Sequence, residues 1–314
     1  MQTRGTYALV AATAVMWGAN FNLSKHVLID LHALVAAAAR FDIAAIAMLA
    51  ISAIRGQRVP LIRHGAAYAT LGLIGIAGFN VLFFYGMQMT SAVNGALIMA
   101  LNPLLTALLA YALKVHRPDT RQLVAFPIGA AGVAVVVLGG GARLQIGDGD
   151  ILMLAGGLCW ALYNVLVGKL LPRDVSGLAN TTGLMLTGGL ALTLTAVLVG
   201  APVAAPGSDA LGSLLFMSLG GTVLAYLLWN DGIARLGAAR TALFLNLVPV
   251  SSMAISAFEG QPPTWVQLAG GVIVIGAVSL ASLAPSRPSL SLSPSRTPTV
   301  SGSASRNSVR PHCP

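Results

Sequence analysis

Trp17, Asn20 and Ser24 follow one another at intervals of three and four residues, which on a helix places an indole, an amide and a hydroxyl on one face. Trp160 and Tyr163 repeat the first interval 143 residues later. A surface of this kind suits the binding of a small polar solute, and it offers no paired nucleophile and base and no metal-ligand set. Helix packing is the competing use of the same rings. Arg40 and Asp42 form a second group, placed about 10–14 Å below one surface of the bilayer discussed below. Two residues apart on a helix they point in different directions, so they are not expected to pair. Arg40 either attracts a carboxylate or steadies its own helix, and Asp42 is the candidate for carrying a proton, with Lys25 as a partner or as a snorkelling cation.

Asn102 with Pro103, and Pro249, supply a third kind of chemistry. A proline inside a helix removes one backbone donor and frees a carbonyl, so Pro103 and Pro249 are candidate hinges and Asn102 a candidate ligand beside one of them. Improved packing at the kink is the competing reading. Asn80, Tyr85, Tyr226 and Asn246 are secondary binding candidates, since amides and phenols in a helical bundle also simply bridge helices. The patterns of hydrolases, metalloproteases and nucleotide-binding loops are absent, and Cys159 and Cys313 form neither a disulfide framework nor a metal-ligand set. The sequence thus calls for no cofactor and no metal, and for no enzyme.

The elements that must position these residues are hydrophobic helices. The chain of 314 residues is 56% hydrophobic and 9% charged, far from the balance of a water-soluble domain. Ten apolar runs, each about long enough to cross a hydrocarbon core of about 30 Å, fall at 6–25, 33–54, 66–87, 92–113, 122–140, 150–170, 178–199, 211–230, 240–258 and 266–284. Trp17 and Trp160 then lie about 15–17 Å from a membrane surface, near the midplane, whereas Trp265 falls at a boundary where tryptophans collect. Residues 285–314 are rich in Ser, Pro and Arg and read as a disordered tail.

Of the 18 Lys and Arg residues, all but Lys25, Arg40 and Arg143 fall on one side if the N-terminus is cytoplasmic. That asymmetry predicts an inner-membrane, multi-pass protein with both termini in the cytoplasm. It also accounts for the net charge of +9 without nucleic acid.

Beyond the Trp17/Trp160 pair, Ala96-Leu97, Leu101 and Pro103 recur as Ala242-Leu243, Leu247 and Pro249, and Gln122-Leu123 recurs as Gln267-Leu268. Residues 1–145 and 146–284 are therefore read as two copies of a five-helix unit. Because five is odd, the second copy is inverted in the membrane, as in carriers whose central site opens alternately to each face. The ordered set of the Trp17-Gly-Ala-Asn20 stretch, Ala39-Arg40-Phe41, the Ala-Leu and Leu-x-Pro elements, Phe258-Glu259-Gly260 and Gln267-Leu-Ala-Gly270 resembles the EamA family of the drug/metabolite transporter superfamily.

That resemblance covers roughly residues 6–284. It implies an all-α, ten-helix carrier, commonly an exporter of amino acids or related metabolites, with a broader drug or nucleotide-sugar carrier as the alternative. A non-transporting sensor or scaffold is the rival class. The glutamate that resembles the family's at Glu259 has no counterpart near Lys114 in the first copy. The expected partners are a small-molecule substrate, the lipid bilayer and, through Asp42, protons; the sequence leaves monomer and homodimer both open.

Overall fold

The computed structural model describes residues 2–115, 120–139, 147–236 and 243–282. The tail at 285–314 falls outside them, as do Ala242 of the repeat and Arg117, Arg143 and Arg240 of the charge pattern. The described residues form helices and short connections, with no strand among them.

In chain order the helices are α1 (Gln2–Asp30), α2 (Ala33–Ile54), α3 (Leu61–Met89), α4 (Ala92–Ala112) and α5 (Thr120–Gly139). Then come α6 (Asp148–Leu170), α7 (Gly177–Val199) and α8, which joins Ser208–Leu215, Phe216–Leu224 and Ala225–Leu236. The last are α9, made of Leu243–Asn246 and Leu247–Phe258, and α10 (Trp265–Ser282). Among the described residues six helices are long and apolar enough to cross a membrane: α2, α3, α4, α6, α7 and Ser208–Trp229 of α8. Leu123–Val135, Phe244–Phe258 and Trp265–Leu280 are shorter apolar helices. Large apolar side chains stand on the outside, Ile46, Leu198 and Val272 among them. Such a surface suits hydrocarbon rather than water, and with these helices it makes the chain a multi-pass membrane protein.

Local chemistry sets the ends. Ser91 and Ser176 cap α4 and α7 by accepting the amides of Asn94 and Ala179 at 3.0 and 3.2 Å. Thr264 and Gln267 cap α10 reciprocally, each side chain accepting the other's backbone amide, so the repeated Gln267 is a capping-box residue. Gly200 ends α7 and Gly260 follows α9, both with positive φ, a conformation in which glycine carries no Cβ penalty.

Two helices are wound wide in the middle. Leu73–Gly78 of α3 and Phe216–Leu224 of α8 are π-helical and begin 143 residues apart, the same interval that separates Trp17 from Trp160. Two others are broken, α4 at Ala100–Leu101 just before Pro103, and α9 by a 3-10 turn at Leu243–Asn246 just before Pro249. The prolines cannot supply the amides that the Met99 and Leu245 carbonyls would otherwise receive.

The helices pack α5 on α10, α2 on α7, the C-terminal half of α3 on α6, and α1 on α8 and α9. Small residues let the backbones approach. Gly188 of α7 leaves room for Ile76, and Gly18 of α1 lies against Ser251 and the Val248 carbonyl of α9.

Candidate functional site

A cavity of about 280 Å³ lies among α1, α3, α6, α7 and α8. Five of its fourteen lining residues are aromatic, and Ile76, Val167, Leu171, Leu184 and Met185 add aliphatic surface. Trp17 of α1 meets Tyr226 edge-on at 6.0 Å and Trp229 at 4.9 Å between ring centroids. Across from them Trp160 packs on Tyr163 at 5.0 Å and on Phe79 at 5.2 Å. Asn164, Asn180 and Thr181 add amides and a hydroxyl to the lining.

The π-turns shape this wall. Gly75, inside the wide turn of α3, sits against the Tyr163 ring where any side chain would collide with it. The Trp17 indole donates to the Gly221 carbonyl at 3.0 Å, inside the wide turn of α8. A Cβ at Gly221 would meet the Asn20 amide, so glycine there is what lets α1 and α8 come together. Asn20 is buried, and its Oδ1 has no hydrogen-bond partner among the described residues.

Arg40 lies behind this wall. It is 7% exposed, its Nε donates to Thr222 Oγ1 at 3.1 Å, and its guanidinium stands 5.3 Å from the Phe41 ring centroid. Thr222 is one helical turn before Tyr226 of the lining.

The other sequence-derived candidates divide. Trp17, Trp160, Tyr163 and Tyr226 line the cavity. Asn102 stands one step back, donating to the Gly157 carbonyl at 2.9 Å and accepting from the lining residue Asn164 at 3.3 Å. Ser24 and Asn80 turn to carbonyls of their own helices, Phe21 and Ile76, both at 2.8 Å. Tyr85 packs edge-on against His32, and Asn246 bonds Ser279 of α10. None of these last four lines the cavity. Asp42 accepts from Thr193 of α7 at 2.6 Å, and no ion pair among the described residues joins it to Lys25.

The sequence profile of the EamA-like transporter family matches residues 4–138 and, a second time, residues 148–283. The chain belongs to the EamA-like transporter family. Among relatives of this EamA-like transporter is the Bacillus subtilis protein named "Uncharacterized transporter YyaM", 38% identical over 290 residues, covering 90% of this chain and 95% of that one. A Streptantibioticus cattleyicolor protein named "Probable terminal-alkyne amino-acid exporter" is 26% identical, over 88% of this chain and 93% of its own. A solved crystal structure shares the fold at a TM-score of 0.67 and 19% identity, covering 88% of this chain and 96% of its own.

Sequence reasoning did not single out Asn164, Asn180, Thr181 and Trp229 of this EamA-like transporter. Asn164 was within reach, since it lies four residues beyond Trp160 on the same helical face, and Trp229 stands three beyond Tyr226. Asn180 and Thr181 carry no such signal. They enter the lining because α7 packs with its N-terminal half on α3, where Tyr68 donates to Asn180 Oδ1 at 2.8 Å.

Proposed function

We propose that this EamA-like transporter is a secondary exporter of amino acids or related small metabolites that works by alternating access. The observation that carries the reading is the cavity itself. It is walled by aromatic rings from both sequence halves, Trp17 from one and Trp160, Tyr163 and Tyr226 from the other. Aromatic and amide walls with no charged group among them fit a small solute with an apolar body and a polar head.

Two inverted five-helix halves, 1–145 and 146–284, would give such a cavity two mouths used in turn. Several facts favour that arrangement. The π-turns of α3 and α8 and the proline-associated breaks of α4 and α9 fall at corresponding positions of the two copies. The packing pairs also exchange under the repeat: α3 with α6 matches α8 with α1, and α4 with α6 matches α9 with α1.

With the N-terminus in the cytoplasm of an inner-membrane protein, as the Lys and Arg distribution favours, the lining residues Val167, Leu171, Gly177 and Trp229 stand toward the cytoplasmic ends of their helices. The cavity then faces inward, loading from the side on which metabolites are made. The test is efflux from liposomes loaded with a panel of amino acids, with and without a pH gradient. Efflux of a subset of the panel supports the reading, and a flat response across every solute overturns it.

A further inference from the structure

Among the described residues Arg40 is a buried cation without a carboxylate partner. None of the eight Asp and Glu residues among the described residues forms an ion pair with it. Asp42, nearest in sequence, turns to Thr193, and the buried Asp150 takes the hydroxyl of Thr90. The ninth carboxylate, Asp119, belongs to the α4–α5 connection, outside the described residues. Among the described residues the guanidinium makes one hydrogen bond, from Nε to Thr222, and its two terminal nitrogens make none. Arginine in such a place is costly, since an unpaired buried charge loses its hydration without a compensating partner.

Its position suggests what supplies the partner. Thr222, which Arg40 bonds, and Tyr226, which lines the cavity, lie one turn apart on the same face of α8, so the guanidinium stands beside the lining. On the orientation proposed above, Arg40 stands toward the outer surface, away from the inner mouth of the cavity. We propose that Arg40 and the Tyr226 phenol together form the anion-recognition site of this transporter, and that the transported solute is a monocarboxylate whose carboxylate meets the free guanidinium nitrogens. Its body then rests against Trp17, Trp160 and Tyr163. A carboxylate matches the paired N–H geometry of a guanidinium. A phosphate dianion fits less well, because Arg40 offers a single positive charge and the lining adds none.

This inference rests on the exporter reading and narrows its substrate class. Three of the four tryptophans, Trp17, Trp160 and Trp229, line the cavity, while Trp265 is 86% exposed, so tryptophan fluorescence of the purified full chain reports on binding there. The probes are L-phenylalanine against L-phenylalaninamide and L-leucine against L-leucinamide, pairs that differ in the carboxylate. The acids should bind at least tenfold more tightly than the amides. Arg40→Gln should weaken acid binding about tenfold to a hundredfold and erase the preference for acid over amide. Arg40→Lys, which keeps the charge and loses the paired geometry, should retain part of the preference.

Equal binding of acid and amide by the unaltered protein overturns the anion site and leaves the exporter reading standing. Equal loss of both in Arg40→Gln also overturns it, by making Arg40 a structural bridge between α2 and α8. If the unaltered protein binds none of the four probes and exports no amino acid from liposomes, the exporter reading fails and the anion site falls with it.

Discussion

The Nε2 of His26 lies 3.3 Å from Oε1 of Glu259, tying the C-terminal part of α1 to the end of α9. One turn earlier on the same face of α1, the buried Asn22 amide donates to the Ser252 carbonyl at 3.2 Å and accepts from the Ser256 hydroxyl at 2.6 Å. The two contacts form one polar seam, buried at Asn22 and partly exposed at His26. On the proposed orientation this seam lies toward the outer surface.

In the alternating-access cycle proposed above the seam would have to part, and its members should then differ in weight. The His26–Glu259 pair is partly solvated, so it contributes no more than about 1 kcal/mol, and Glu259→Gln should shift the balance of open and closed states by at most about fivefold. Asn22→Ala strips buried groups of their partners, at a cost of about 1–3 kcal/mol, and should shift it further. The measurement is labelling of a cysteine introduced at Asn20 by a membrane-impermeant thiol reagent added outside. Unchanged labelling in Asn22→Ala would mean that the seam holds the helices together without gating them.

Two glycines of α6 should respond in opposite senses to the same change. A Cβ at Gly149 would stand 2.7 Å from the Met89 carbonyl carbon and 2.8 Å from the Thr90 amide nitrogen, backbone atoms that cannot swing aside. At Gly168 there is nothing within 4 Å. Gly149→Ala should cost about 1–3 kcal/mol through overpacking, whereas Gly168→Ala should be neutral or stabilising by up to about 1 kcal/mol through helix propensity. Thermal unfolding in detergent separates them, and similar midpoints for the two variants would contradict the packing described between α3 and α6.

The helices were legible in the sequence because apolar runs carry them directly: the span read at 33–54 is α2, and that at 178–199 differs from α7 by one residue. The pairing of Trp160 with Tyr163 was legible for a similar reason, since i,i+3 spacing fixes a shared face. What could not be read was direction within the bundle. Asn80 and Asn180 look alike in sequence, yet Asn80 bonds its own helix at Ile76 while Asn180 joins α3 and lines the cavity. Which side of a hydrophobic helix faces lipid is decided by neighbouring helices, and an all-round apolar sequence leaves that face unmarked. The π-turns were hidden likewise, because a wide turn is a response to packing around Gly75 and Gly221 rather than a property of local composition.

Pro103 offers a test of motion. It stands just beyond the break in α4 and leaves the Met99 carbonyl without the amide an unbroken helix would give it. Pro103→Ala restores that donor, so it should straighten α4, raise the unfolding midpoint and slow transport severalfold. Pro249→Ala, at the matching position of α9, should do the same, and combining them should slow export further. Turnover unchanged in both variants would reduce the breaks to packing features.

Asp42 is the last and most direct case. Its Oδ2 accepts the Thr193 hydroxyl at 2.6 Å across the α2–α7 contact, and Gly189 lies close against its Oδ1. Asparagine keeps the shape of the side chain and one oxygen to accept from Thr193, so Asp42→Asn should preserve the packing of α2 on α7 while removing the carboxylate that is the candidate proton carrier. If protons drive export through Asp42, the variant should still exchange substrate across liposomes at equal pH but lose the acceleration that a pH gradient gives the unaltered protein. Loss of both activities with an unchanged unfolding midpoint would place Asp42 in the transport cycle without separating its proton from its charge, which Asp42→Glu would then resolve by restoring the gradient response. A gradient response left intact in Asp42→Asn would make the residue a bridge to Thr193 and nothing more.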